Sequence, residues 1–118
     1  MRGMVTPGFT VAGRAGSANS VRILTVTGAI TSLTSPAFHE AVKAATAACL
    51  IVDLTGVPSV DSMALGTLVQ AYVSCHKAGQ KLRLVGLTHR VKNILELTGV
   101  APLFETYATV DEAENALR

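Results

Sequence analysis

The run Leu50-Ile51-Val52-Asp53-Leu54 is apolar at nearly every position, and it restricts the folds open to this chain more than any other stretch. A strand with one wet face alternates. A strand without alternation is buried on both faces, as the central strands of a parallel sheet layered with helices are. The run leads through Thr55-Gly56-Val57-Pro58-Ser59-Val60-Asp61 into the longest helical pattern of the sequence, from about Ser62 to Ala78. Leu65, Leu68, Val69, Tyr72 and Cys75 fall on its buried stripe, with Thr67, Gln70, Ser74 and Lys77 opposite. Gly79 follows as the residue that can turn left-handed and end the helix.

The flanks extend the alternation. Residues 1–8 read as a loose lead-in and 9–118 as a single domain. Phe9-Thr10-Val11 is a short strand, Gly13 to Ser20 is turn chemistry, and Val21 to Thr27 alternates as a second strand closed by Gly28. Ser35-Pro36 marks a helix start, with the serine as cap and proline in the first turn. Phe38, Val42, Ala45 and Cys49 trace its inner face. After the central helix, Lys81 to Val85 is a strand and Thr88 to about Thr98 a helix that buries Val91, Ile94 and Leu95 and ends at Gly99. A strand from Phe104 to Tyr107 precedes a last helix, opened by the capping-box pair Thr109 and Glu112 and burying Val110, Ala113 and Leu117. The order predicts an α/β fold: a mixed sheet, with an N-terminal hairpin followed by parallel strands, and about four helices joined by right-handed crossovers.

Bulk properties exclude several functions. With 118 residues, 49% of them apolar and 15% charged, the chain can bury one core without staples. A net charge of +2, with the basic residues scattered, is no nucleic-acid surface. Cys49 and Cys75 stand far apart on apolar positions and read as small hydrophobes. No apolar run reaches the ~20 residues a membrane span needs, and no signal-peptide pattern opens the chain. The expectation is a soluble cytoplasmic domain.

Enzyme signatures are missing. There is no phosphate-binding Gly-Lys-Ser/Thr loop, no G-x-G-x-x-G and no G-x-S-x-G elbow. His39, His76 and His89 are dispersed, which gives neither a metal set nor a base for a nucleophile, and no cofactor is expected. A phospho-aspartate receiver would need acids at the end of an early strand, where this chain has Thr27-Gly28. Asp53 reads as a turn acid. Asp61 and Ser62 sit where a strand-to-helix turn would place them beyond the carboxyl end of the central strand. A serine there is a helix cap on the residues alone, yet the free amides of a helix start also tolerate a phosphoryl group. Met63 lies one position off the buried stripe and should be exposed beside Ser62, as part of a docking surface.

These residues resemble a known pattern. Ile51-Val52-Asp53-Leu54-Thr55-Gly56-Val57-Pro58-Ser59-Val60-Asp61-Ser62-Met63-Ala64-Leu65-Gly66 is similar to the core motif of STAS domains, the fold of anti-sigma factor antagonists and of sulphate-transporter tails. Val26 to Thr31, Leu82 to Leu87 and Leu97 to Val100 agree with it, so the likeness runs from about Phe9 to the end. It implies a non-enzymatic switch. The unmodified form would bind a serine-kinase anti-sigma factor, and phosphorylation of Ser62 would turn binding off. The resemblance places Asp61, Ser62, Met63, Ala64, Thr67 and Thr31 at the partner face, with Asp53 and Gly66 beside it. Two departures stand out. Ser62-Met63-Ala64 replaces the usual Ser-Ser-Gly or Ser-Thr-Gly, and Gly28-Ala29-Ile30-Thr31 lacks the acids the family uses in docking. The alternative is a non-catalytic STAS adaptor in a transport or stress-signalling complex, not regulated at Ser62. The chain's free-standing length speaks against a transporter tail.

Overall fold

The computed structural model describes residues 8–18 and 20–116. The lead-in over residues 1–7 and the burial expected of Leu117 lie outside them. Five strands form one sheet in sequence order: β1 (Thr10–Ala15), β2 (Val21–Thr27), β3 (Cys49–Gly56), β4 (Lys81–Val85) and β5 (Glu105–Tyr107). β1 is antiparallel to β2, and every later neighbour is parallel. Helices α1 (Ser35–Ala44), α2 (Ser62–Lys77) and α3 (His89–Leu97) are the three crossovers. Each crossover steps the same way along the sheet, so right-handedness puts all three on one face. α4 (Val110–Asn115) covers the other face, and a short 3-10 turn, Ala101–Leu103, leads into β5.

The central strand divides the interior. Leu50, Val52 and Leu54 face the three-helix side with Phe38, Val42, Leu65, Leu68, Ala71 and Leu95. Ile51 faces α4 with Val21, Ile23, Val85 and Ala113. Both sides are dry, which is why the run needs no alternation.

Several expectations shift. β1 continues through Gly13-Arg14-Ala15, which the glycine had suggested was turn; Arg14 and Ala15 pair with Ile23 and Arg22. Thr34, not Ser35, occupies the cap position of α1, so Ser35 and Pro36 are its first two helical residues. The buried Thr34 hydroxyl accepts from the Thr31 N–H at 2.8 Å and donates to the Ala29 carbonyl, and Ser35 Oγ donates to the Thr31 carbonyl. Cys49 begins β3 on the α4 side instead of ending the face of α1. Burial pushes both thiols up from their ordinary range, which suits packing and not reaction. On α2 the stripe is centred on Ala64, Leu65, Leu68, Ala71 and Cys75, with Val69 and Tyr72 half-buried. Ile94 on α3 and Val110 on α4 are likewise half-buried. In the last cap Thr109 Oγ1 accepts from Glu112 N–H as the box requires, while the Glu112 carboxylate reaches back to Ala108 N–H.

Arg83 is the feature that alternation hides. It points to the α4 side of β4, only 4% exposed, and donates from Nε to Glu105, its direct cross-strand neighbour, at 2.9 Å. Its guanidinium also lies over the Tyr107 ring and against Cys49 Sγ. On the far side of the same face, Glu114 of α4 accepts from the Ser17 N–H and hydroxyl at 2.6 and 2.8 Å and ties the hairpin turn to the last helix.

The hydrogen bond from Arg83 lowers the Glu105 carboxyl, and the bonds from Ser17 lower that of Glu114. A folded-state pKa below the unfolded value gives stability that is complete above the unfolded pKa and lost as pH falls through the folded one. The melting temperature is therefore expected to drop as pH is taken below ~4.3, the ordinary glutamate value. Glu114→Gln should flatten that drop in a pH series of thermal melts. A slope unchanged in that variant would assign the acid loss elsewhere.

Candidate functional site

Three loops meet beyond the carboxyl ends of β2, β3 and β4. Gly28 turns out of β2 with φ +100 and donates its N–H to the Gly56 carbonyl. Ile30 then pairs with the stretch before α2: its N–H donates to the Ser59 carbonyl, and its own carbonyl accepts from Asp61 N–H. Thr88, the cap of α3, donates its hydroxyl to the Val57 carbonyl at 3.2 Å. Leu54, Val57, Val60 and Ile30 are buried beneath, so the ridge that carries Asp61 and Ser62 rests on packed side chains and not on a loose loop.

Asp61 is the cap of α2. Its Oδ1 accepts from the Ala64 N–H at 2.7 Å, and its Oδ2 reaches the Ser32 N–H at 3.4 Å, joining the helix start to the loop after β2. Ser62, which sequence alone reads as the cap, is instead the first helical residue. Its hydroxyl is exposed and makes no side-chain hydrogen bond to another described residue. The difference is chemical: an aspartate already serves the helix start, so the serine does not. The Ser62 and Met63 N–H groups lie in the first turn, where no intrahelical carbonyl reaches them. A phosphoryl group on Ser62 would meet these amides and the positive end of the helix.

Met63 is 71% exposed, as its place off the stripe requires. Leu33, in the loop that the Asp61–Ser32 contact holds against α2, is 78% exposed and was not singled out by periodicity because it lies in no periodic segment. Thr31 and Thr67 are half-buried; Thr31 Oγ1 accepts from Leu33 N–H and shapes the turn that presents it. Ala64 corrects the expectation of a partner contact: it is fully buried, and its methyl packs in the core. Only its backbone serves the site, through the bond to Asp61. Asp53 is not a turn acid: it lies within β3, paired with Thr25 and Val85, and its carboxylate accepts from both the N–H and the hydroxyl of Thr55. Among the described residues no three His, Cys, Asp or Glu side chains gather as a metal set would.

Gly66 lies one turn after Ser62, exposed, and a Cβ placed on it would meet nothing within 4 Å. Gly66→Ala is expected to stabilise the isolated domain by about 0.5–1 kcal/mol, since alanine is the better helix former. A urea midpoint that fails to rise would show that the bare position serves the fold itself.

The comparisons with known proteins point to one family and one fold. The STAS domain model matches residues 15–113. The anti-sigma-B factor antagonist of Listeria monocytogenes is 34% identical over 83 residues, which take 68% of this chain and 73% of the relative. The crystal structure of an anti-sigma factor antagonist from Mycobacterium paratuberculosis superposes with a TM-score of 0.77 at 25% identity, over 96% of this chain and 97% of that one. The murine Slc26a9 anion transporter carries the same fold in 18% of its length, with a TM-score of 0.74 at 25% identity over 85% of this chain. No described helix is long and apolar enough to cross a membrane. On the match of sequence and of architecture together, the chain belongs to the STAS domain family.

Proposed function

We propose that the chain is an anti-sigma factor antagonist that binds a serine-kinase anti-sigma factor through the ridge around Ser62 and is released when Ser62 is phosphorylated. In that reaction it is a substrate and a ligand, not a catalyst. The observation that carries the reading is the division of labour at the start of α2: Asp61 caps the helix, and the exposed Ser62 hydroxyl makes no side-chain bond to another described residue. The names of the curated and structural relatives support the same role. Phosphate adds about −1.5 to −2 charge at neutral pH and three strong acceptors. Added to a helix start, it leaves the fold intact while changing what a partner meets.

The test is direct. The purified chain is incubated with ATP and the serine-kinase anti-sigma factor of the same organism, and the modified residue is mapped by mass spectrometry. Stoichiometric phosphate on Ser62 and none in Ser62→Ala is the expected result. Phosphate confined to another hydroxyl would overturn the assignment.

A further inference from the structure

The side chains around Ser62 describe the partner as well as the switch. Two of the most exposed large apolar residues among those described, Leu33 and Met63, lie on the two segments that the contact between Ser32 N–H and Asp61 joins, Met63 directly after the serine. Neither supports the core. The bond from Thr88 to Val57 ties the start of α3 to the loop that leads into α2; there α3 begins with His89 and Arg90, both exposed, and Lys92 follows one turn in. The first turn of α3 holds no acid. Cations at the positive end of a helix oppose its dipole, so their position does not serve the stability of α3.

The acids of this edge are already engaged within the chain, Asp61 while exposed and Asp53 half-buried. Asp61 is directed onto the N–H groups of Ala64 and Ser32, and Asp53 onto Thr55. Asp111 and Glu112 open α4, on the opposite face of the sheet. Apart from Asp61, whose carboxylate is held by two backbone amides, a visitor to this surface meets apolar groups at Leu33 and Met63 and cations at the start of α3.

We infer that this surface docks a protein whose facing side is an apolar pocket rimmed by acidic residues, Leu33 and Met63 filling the pocket and Arg90 pairing with the rim. The inference rests on the reading of the partner as an anti-sigma factor and adds its surface chemistry. It also gives the phosphate a second effect, because a dianion on Ser62 would be set against the same acidic rim that Arg90 attracts.

The experiment measures affinity of the full chain for that purified anti-sigma factor by calorimetry at 50 and 300 mM NaCl. Leu33→Ser and Met63→Ser are each expected to weaken binding at least about tenfold, as centrally placed apolar anchors do. Arg90→Glu should weaken it at least about tenfold at low salt and less at high salt, where charge pairing is screened. Lys77→Glu, at the other end of α2, should change it less than about twofold. Thermal melts accompany each variant. Arg90→Glu should melt no lower than the unsubstituted chain, because glutamate suits a helix start, so its lost affinity cannot be a lost fold. Unchanged or tighter binding by Arg90→Glu overturns the inference, as does apolar-variant affinity within twofold of the original. If those variants bind normally while Ser62→Asp does not, the switch stands and the surface chemistry falls. If the unsubstituted chain does not bind at all, both fall.

Discussion

Replacing Ser62 by aspartate is expected to weaken binding to the serine-kinase anti-sigma factor on the order of 100-fold, about 2.7 kcal/mol. In the proposed interface the carboxylate would be set against the acidic rim inferred for the partner, and like charge brought together costs several kcal/mol. Ser62→Ala removes a hydroxyl that makes no side-chain bond to another described residue, and should bind within about threefold of the original. The fold responds in the opposite sense. Aspartate in the first turn of α2 interacts favourably with the helix dipole, by about 0.3–1 kcal/mol, so the variant should melt at the same temperature or higher. Calorimetry for binding and thermal melts for stability separate the two effects. Ser62→Asp that binds within threefold of the original chain would mean that charge at this position does not operate the switch.

Much of the fold is legible in the sequence because its decisive segments are locally consistent. β3 is uniformly apolar, β4 is bounded by Gly79 and Gly86, and the starts of α3 and α4 carry Thr88 and Thr109 as caps that the structure uses. What is hidden is whatever depends on which face a residue meets. Cys49 falls in phase with the face of α1, but the helix ends at Ala44 and the chain turns into the sheet before Cys49 is reached. Ala64 lies in the motif next to exposed residues, and only its helical phase with Leu68, Ala71 and Cys75 tells that its methyl is buried. Arg83 looks like the wet position of an alternating strand, and the pairing with Glu105, with Tyr107 and Cys49 against the guanidinium, makes its burial tolerable.

The site shows the same division. Its place on the chain follows from a strand-to-helix turn, and Met63 from the helical period. That Asp61 and not Ser62 caps α2 could not be read off, since both residues favour that position and they are adjacent. Leu33 was invisible for a different reason: exposure of a loop residue is decided by the bonds that fold the loop, here those among Ala29, Thr31, Thr34 and Ser35.

Phe38→Ala should have the largest effect on stability, about 3–5 kcal/mol. Phe38 is 1% exposed, the largest of the fully buried side chains, and it anchors α1 to the three-helix side of the sheet. Alanine there loses the transfer energy of the ring and leaves a cavity, because neighbours held by strands cannot close on it. Against the ~5–15 kcal/mol typical of a small domain, the loss is a large share of the total. Its consequence reaches the site. Phe38 N–H donates to the Thr34 carbonyl, and Thr34 in turn closes the loop that presents Leu33 and meets Asp61 through Ser32. A loosened α1 therefore loosens one side of the docking surface. Urea unfolding should show the midpoint fall sharply. Hydrogen exchange of the intact folded protein should show faster exchange at Thr31 and Thr34 than in β4. Phe38→Leu, which refills most of the space, should cost less than about 1.5 kcal/mol and restore slow exchange in the loop. If Phe38→Ala lowers the midpoint but leaves the loop protected, the ridge is held by its pairing with Ser59 and Asp61 alone, and α1 contributes nothing to it.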